Sequence, residues 1–193
     1  MPTIDHDERR RRIAEVAVDV IAREGLESAT IRRIAAELKG PTKLVTHYFT
    51  DKQQLLIWTY RSLAEQGERY IEEVVARDPA DLLGSLFAMT PMDEHKTQLW
   101  RVYVAFWDWA SRDPVIAELQ RKYINLTVLR IAEMVRALTG DTHDLESVSE
   151  RLNAVVQGIS IQALMDKERW SAQRIRSRLA DEVAAALARS SPA

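Results

Sequence analysis

A short segment near residue 45 carries polar side chains that could bind nucleic acid. Within it lie Thr42, Lys43, Thr46, His47 and Tyr48. Lysine can donate hydrogen bonds to guanine edges or phosphates, and threonine can contact a base edge or a thymine methyl group. These residue types at this spacing indicate contact with base pairs, provided that one structural element presents them together.

A short helix over residues 42–49 would present them together. Val45 and Phe49 are apolar and four residues apart, so they would share the buried side of such a helix. With these two inward, Thr42, Lys43, Thr46 and His47 point outward, and Tyr48 lies at the flank. This outward face is the predicted DNA-reading surface.

Other polar residues could contact the phosphate backbone and so position the protein on the DNA. Thr30 is a candidate N-cap for a helix that begins with Arg32 and Arg33 in its first turn, and helix N-termini bind phosphate. Lys52 opens the next long helix, and Arg9–Arg12 form a basic run near the start of the chain. Such contacts would position the protein, while the 42–48 face would discriminate between sequences.

The elements that must hold these residues are all helical. Apolar residues recur at three- and four-residue spacing, and the few glycines and prolines fall mostly where these periodic stretches end. The pattern predicts about nine helices, near residues 7–24, 30–38, 42–49, 52–77, 81–89, 93–112, 114–138, 145–166 and 171–189. We therefore expect an all-α protein, with a three-helix helix-turn-helix DNA-binding domain over residues 1–51 and a second helical domain over residues 52–193.

Composition narrows the class of protein. The first 60 residues hold ten Lys/Arg and nine Asp/Glu, whereas the whole chain has a net charge of −2, so the front is slightly basic and the remainder is acidic. This uneven distribution of charge suits a small DNA-binding domain joined to a domain that does not bind DNA. With no cysteine, no ~20-residue apolar span and no apolar signal region, the expected location is the cytoplasm.

Two segments resemble the DNA-binding domain of the TetR family. The first is Thr30-Ile-Arg-Arg-Ile-Ala-Ala-Glu-Leu, and the second runs from Thr46-His-Tyr-Phe through Lys52 to Leu55-Leu56. The resemblance covers residues 8–60 of a family domain that spans about 8–68. It implies a sequence-specific transcriptional regulator, namely a homodimeric repressor with an effector-binding and dimerisation domain over residues 52–193. A small-molecule effector would release this repressor from a palindromic operator in double-stranded DNA.

The turn before the reading helix departs from the family pattern. Leu38-Lys39-Gly40-Pro41 stands where the family usually has Ala-Gly-Val-Ser. Gly40 as the N-cap and Pro41 at the first helical position would be a sound substitute, because proline is well suited to the first turn of a helix.

The rest of the chain resembles the family more loosely. The segment over residues 155–165, together with the closing amphipathic helix, looks like the last two helices of these regulators, which implies a homodimer interface over about 145–189. The segments over residues 100–109 and 112–120 look like the effector domain of the choline-responsive, betaine-pathway repressors. This second resemblance implies a small-molecule effector, with a quaternary amine as the candidate class.

Five aromatic residues lie within ten positions, at Trp100, Tyr103, Phe106, Trp107 and Trp109. They could line a cavity that holds a quaternary ammonium by cation–π attraction, or they could simply pack in the core. Spacing favours core packing for most of them. Resemblance to ligand-responsive regulators selects Trp100, Tyr103 and Trp107 as effector-binding candidates, with Gln157 as a polar contact.

Two other function classes stay open at this point. A helical small-molecule-binding or adaptor protein could carry the same aromatic residues beside an inert front bundle, and burial of Thr42, Lys43 and His47 would favour this alternative. An enzyme would need a catalytic constellation, a metal site or a cofactor loop. The histidines lack paired ligand spacing and no glycine-rich phosphate loop is present, so we expect neither enzyme activity nor a metal or cofactor.

Overall fold

The computed structural model describes residues 6–140 and 144–189. Throughout these residues the regular structure is helical, which confirms the all-α prediction. The α-helices are α1 (His6–Glu24), α2 (Ile31–Glu37), α3 (Lys43–Thr46), α4 (Lys52–Arg77), α5 (Leu82–Ala88), α6 (Glu94–Ala110), α7 (Pro114–Thr139), α8 (Leu145–Met165) and α9 (Ala172–Arg189). A short 3-10 turn, Leu26–Ser28, was not predicted; it lies between α1 and α2.

Aspartate side chains begin three of the later helices. The backbone N–H of Gly84 donates to Asp81 at the start of α5, and that of Lys96 donates to Asp93 at the start of α6, both at 2.7 Å. The Asp113 carboxylate accepts the N–H of Val115 at 2.9 Å, and Pro114 takes the first position of α7. Each cap satisfies a backbone donor that has no partner inside its helix, which is why these helices begin where the sequence predicts.

The chain forms two compact units. The first comprises the described residues up to Gln66 together with Arg101–Leu119, and the second comprises Gly67–Trp100 together with the described residues from Gln120 onward. Helices α4, α6 and α7 each contribute residues to both units. The functional boundary between residues 51 and 52 stays a prediction.

The first unit is built around the helix-turn-helix. Helix α1 packs on α2, and α2 packs on α3. Its fully buried side chains come from every one of these helices and from α4, α6 and α7; they include Ile13, Val20, Ile34, Val45, Leu55, Phe106 and Ile116. Because α3 has only four residues, it cannot be stable alone and depends on this shared core.

The second unit has α9 packed against both α5 and α8. Its core includes Leu86, Ile131, Met134, Leu152 and Leu179, none of them more than 1% exposed. Arg130 of α7 also ion-pairs with Glu68 and Glu72 on the second half of α4. No helix in the described part of the chain is long and apolar enough to cross a membrane.

Candidate functional site

The turn between α2 and α3 contains a left-handed residue, and that residue is Lys39. Its φ is 54°, while the next residue, Gly40, has no positive φ. The N–H of Gly40 donates to the carbonyl of Ala35 and that of Lys39 to Ala36, both at 3.0 Å. This hydrogen-bond pair is the Schellman arrangement that ends many helices, and glycine usually occupies the position that Lys39 takes here.

The expectation that Gly40 would cap α3 is therefore wrong. Thr42 occupies the N-cap position, with helical φ and ψ, and the first turn closes when the N–H of Leu44 donates to the carbonyl of Pro41 at 2.9 Å. Gly40 serves another purpose. A Cβ at that position would lie 2.9 Å from Cδ1 of Leu44, so glycine allows the turn to lie close against that side chain.

The orientation of α3 agrees with the predicted face. Val45 is fully buried and Phe49 is 2% exposed, so both anchor the helix in the core. Four predicted DNA-reading side chains are exposed, namely those of Thr42, Lys43, Thr46 and His47, and Tyr48 is half-buried at the flank. Their exposure is the opposite of what the adaptor hypothesis expected. The helix itself is shorter than predicted, and hydrogen-bonded turns continue it to Phe49.

The start of α2 is capped as predicted. The Thr30 hydroxyl oxygen accepts the backbone N–H of Arg33 at 3.1 Å, and both Thr30 and Arg32 are exposed. Thr30 and Arg32 therefore remain candidates for phosphate contact.

Arg33 differs from the expectation that it would contact phosphate. Its guanidinium binds Glu24 at 2.6 Å and Glu37 at 2.7 Å, and Arg23 binds Glu37 as well. These hydrogen bonds raise the pKa of Arg33 and lower the pKa values of both glutamates. The network ties α1 to α2, so Arg33 holds the bundle together instead of extending toward a ligand.

The start of α4 places Lys52 beside the 3-10 turn. Its ammonium donates to the Glu27 carbonyl at 3.0 Å and ion-pairs with the Glu27 carboxylate at 3.1 Å. The Glu27 side chain is 98% exposed, so this surface pair is weak. Asp51 caps the helix by accepting the N–H of Gln54, and this hydrogen bond lowers the pKa of the Asp51 carboxyl.

His6, at the start of α1, is a residue of this surface that the sequence analysis did not select. Its ring centroid lies 4.6 Å from that of Tyr48 and 6.0 Å from that of His47. The rings of His47 and Tyr48 are also in contact, edge to face, at 4.9 Å. No sequence spacing could have shown this contact, because 41 positions separate the two histidines in the chain.

The aromatic residues of α6 have different roles. Phe106 is fully buried and stacks on Tyr60 at 4.6 Å, which makes it a core residue. Trp100 is 8% exposed, and its indole N–H donates to the Met89 carbonyl at 2.8 Å. The prediction that most of these aromatics pack in the core agrees with both placements.

The predicted effector-binding residues fall in different compact units. Tyr103 and Trp107 belong to the first unit, where they are half-buried and one turn apart on α6. Trp100 and Gln157 belong to the second unit. Gln157 is half-buried on α8, with its amide nitrogen 3.5 Å from the Asn153 amide oxygen. Binding of an effector by these four residues stays a prediction.

Metal chemistry has no support in the part of the chain that the structure describes. Among residues 6–140 and 144–189, the structure contains no group of three or more His, Asp or Glu side chains that could hold a metal ion. Three acidic residues of the first unit are instead engaged elsewhere: Glu24 and Glu37 bind Arg33, and Asp51 caps α4.

Two family models match most of the chain. Residues 13–57 match the family described as "Bacterial regulatory proteins, tetR family". Residues 62–188 match "BetI-type transcriptional repressor, C-terminal". The chain belongs to the TetR family. The resemblance that the sequence showed is thereby confirmed, for both the DNA-binding domain and the C-terminal domain.

Individual proteins agree with this assignment. The transcriptional regulator PksA of Bacillus subtilis is 29% identical over 90% of this chain and 87% of its own. A nicotine-responsive repressor of Paenarthrobacter nicotinovorans is 28% identical over 82% of this chain and 85% of its own. A Saccharomonospora viridis regulator, solved in complex with choline, shares the fold with a TM-score of 0.78; it is 24% identical, and the match covers 92% of this chain and 96% of that one.

The function of this TetR-family chain follows at the level of the family. It is a ligand-responsive, DNA-binding transcriptional regulator of the BetI repressor type. Regulators of this family bind operator DNA and act as dimers. The family consists of transcriptional regulators, which are not enzymes.

Proposed function

We propose that the chain is a homodimeric repressor that reads a palindromic operator through α3 and leaves it when a quaternary amine binds. The observation that carries the DNA-reading part is the orientation of α3. Val45 and Phe49 hold one side of the helix in the core, while Thr42, Lys43, Thr46 and His47 are exposed on the other. A helix anchored in this way can enter a major groove with its polar side chains directed at base edges.

The proposed contacts divide into two kinds. Lys43 and Thr46 are the best placed for base edges, since lysine can donate to guanine and threonine can contact thymine. Thr30, Arg32 and Lys52 are proposed phosphate contacts, which would fix the register of the protein on the duplex. Lys52 would exchange its exposed partner Glu27 for a phosphate at little energetic cost.

Substitution of Lys43 tests base reading. Binding is measured by fluorescence anisotropy on duplexes from the DNA that flanks the chain's own gene, over a range of salt concentrations. If Lys43 reads a base, Lys43→Ala weakens specific binding by about 1–3 kcal/mol and leaves binding to random DNA nearly unchanged. An equal loss on both duplexes would make Lys43 a phosphate contact.

A matched control removes one lysine far from the reading surface. Lys122 is exposed on α7 in the second unit, so Lys122→Ala changes the net charge by the same amount. It should leave both affinities unchanged. The proposal is refuted if the wild-type protein shows no salt-sensitive preference for any flanking duplex.

The proposed dimer interface covers residues 145–189, that is, α8 and α9. A stripe of small and flexible side chains is exposed along α8, at Ala154, Gly158, Gln162 and Met165, and Met165 is 79% exposed. A Cβ added at Gly158 would meet nothing within 4 Å in the single chain. Small residues at helical spacing allow a second helix to approach closely, and the exposed apolar Met165 would gain burial there.

Gly158→Arg tests this interface. Arginine favours the helix more than glycine does, so the single chain should fold at least as well, while the bulky charge should separate the two copies. Light scattering coupled to size exclusion should show a dimer for the wild type and a monomer for the variant. Ala137→Arg, at an exposed position on α7, is the control and should remain dimeric. A dimeric Gly158→Arg variant would exclude this part of α8 from the interface.

The effector is proposed to be a quaternary amine of the choline type. Three observations support this class: the BetI-type C-terminal domain, the choline complex of the Saccharomonospora regulator, and the aromatic density of α6. Aromatic faces attract cations that cannot donate hydrogen bonds, with a gain of about 0.5–2 kcal/mol per ring. Tyr103 and Trp107 are the first candidates, because both are half-buried and neither is placed like the core residue Phe106.

Thermal shift and calorimetry with choline test the effector. Saturating choline should raise the melting temperature of the wild type, because it binds the folded protein. It should also release the protein from DNA, because an effector that binds the DNA-free state more tightly weakens DNA binding by linkage. Trp107→Ala and Tyr103→Ala should each weaken choline binding. Trp170→Ala, whose ring lies against Arg174 in the second unit, is the control. A chain that choline neither stabilises nor releases from DNA does not respond to this amine.

A further inference from the structure

The first turn of α1 extends the surface that α3 presents. His6 is exposed, and its ring contacts that of Tyr48 at 4.6 Å between centroids and stands 6.0 Å from that of His47. His47 is exposed as well, on the face that carries Lys43 and Thr46. Two histidines from distant parts of the chain therefore lie close together, and the ring of Tyr48 contacts both of them.

The chemistry of this pair depends on protons. Histidine is the residue type whose charge ordinarily changes between pH 5 and pH 8. A neutral imidazole donates one hydrogen bond, whereas the protonated ring donates two and carries a positive charge. Two protonated rings at this separation repel each other, and an adjacent phosphate would offset that repulsion.

Other charged residues lie near the pair along the chain, on α1, on α3 and at the start of α4. On α1 they are the acidic residues Asp7 and Glu8 and the basic residues Arg9 and Arg10. On α3 the charged neighbour is Lys43, and at the start of α4 the charged residues are Asp51 and Lys52. Asp51 is engaged at a helix N-terminus and Lys52 with Glu27, so both already have partners of their own. These elements carry both basic and acidic residues, and a positive charge gained by the pair would add to the attraction for DNA.

We propose that His6 and His47 form a proton-dependent contact with the phosphate backbone of DNA. This inference rests on the proposed role of α3 as the DNA-reading helix. Protonation of the pair adds positive charge and N–H donors at the edge of the reading face, and Tyr48 keeps the His6 ring at that edge. Because anionic DNA favours the protonated rings, the protein takes up protons when it binds DNA. Its affinity for DNA therefore rises as the pH falls from 8 to 6.

The measurement is fluorescence anisotropy with a duplex enriched from a randomised library on the wild-type dimer at pH 7.5. Dissociation constants are measured at pH 6 and pH 8 across a salt series. Each additional phosphate contact steepens the salt dependence by about 0.9 in logarithmic slope, which corresponds to roughly tenfold tighter binding near 0.1 M salt. Because the dimer carries one histidine pair in each protomer, we expect up to about a hundredfold higher affinity and a salt dependence steeper by about 1.8 at pH 6.

Three substitutions separate charge from ring contact. His6→Phe keeps an aromatic ring against Tyr48 but cannot gain a proton, so it should lose much of the gain in DNA affinity between pH 8 and pH 6. His6→Arg carries a permanent charge and should bind tightly at both pH values. His47→Gln should also reduce the gain. His95→Gln is the matched control, because His95 is exposed at the start of α6 and belongs to the second unit.

The outcomes are distinct. An unchanged pH dependence in His6→Phe and His47→Gln, with melting temperatures equal to that of the wild type, would overturn the inference while leaving the DNA-reading role of α3 intact. Loss of the pH dependence in His95→Gln would also overturn it. Failure of the wild-type protein to enrich any duplex would instead refute the proposed function and this inference together.

Discussion

Replacement of Lys39 by glycine should stabilise this protein. Lys39 has a φ of 54° in the Schellman turn that ends α2. The left-handed conformation costs a residue with a β-carbon roughly 1–2 kcal/mol. Glycine avoids that cost but loses about 0.5–1 kcal/mol more backbone entropy on folding. The net expected gain is about 0.5–1 kcal/mol, or roughly 1–4 °C in melting temperature for a chain of this size.

The assay is thermal unfolding at fixed protein concentration, since dimerisation makes the melting temperature depend on concentration. Lys39→Ala is the matched control, because it removes the same charged side chain but retains the β-carbon. It should show little or none of the gain. If Lys39→Gly is no more stable than Lys39→Ala, the left-handed strain assigned to this turn is wrong.

Gly25 tests the same reasoning with a substitution that should destabilise the fold. Gly25 ends α1 with a φ of 83° and a ψ of 167°, a region that essentially only glycine enters. An added Cβ would meet nothing within 4 Å, so the cost of Gly25→Ala would come from the backbone conformation alone. We expect a loss of about 1–3 kcal/mol.

Three further predictions concern the core and the ion pairs. Phe106→Ala should destabilise the fold by about 3–5 kcal/mol in urea unfolding, because it removes a fully buried ring stacked on Tyr60; a loss below about 1 kcal/mol would contradict its assignment to the core. Trp100→Phe should cost about 1–2 kcal/mol in the same assay, since the Met89 carbonyl loses its indole donor while the aromatic packing is largely kept; no loss would show that this hydrogen bond contributes nothing. Hydrogen bonds from arginine hold the pKa values of Glu24 and Glu37 below the ordinary 4.5. The ionised glutamates therefore stabilise the fold above about pH 4.5, and this contribution is lost as the pH falls through the lowered pKa values. Melting temperature measured against pH should therefore fall less steeply below pH 4.5 in Arg33→Gln than in the wild type, and parallel curves would refute the linkage.

Much of the local structure could be predicted from sequence because it depends on local periodicity. The spacing of Val45 and Phe49 predicted which side of α3 is buried, and the Asp113-Pro114 step predicted where α7 begins. Helix formation and capping involve residues three or four positions apart, and those are the separations that a sequence pattern reports. The TetR resemblance over residues 8–60 was likewise carried by contiguous motifs, and the family models confirm it.

The tertiary structure decided which partner each polar or aromatic side chain meets. Arg33 appeared available for phosphate until Glu24 and Glu37 were seen to bind it. His6 had no apparent role until its ring was found against Tyr48. These partners lie on different helices, where packing geometry, and not sequence spacing, sets the distances.

The segment near residue 45 combines both kinds of information. Sequence by itself determined that Thr42, Lys43 and Thr46 share the outward face of a helix, because the positions of the apolar residues set that face. Only the folded chain showed that Lys39 takes the left-handed position before this helix and that His6 extends its surface. The physical reason is that a helical face follows from the covalent order of residues, whereas turn conformation and cross-helix contacts depend on how the core brings distant segments together.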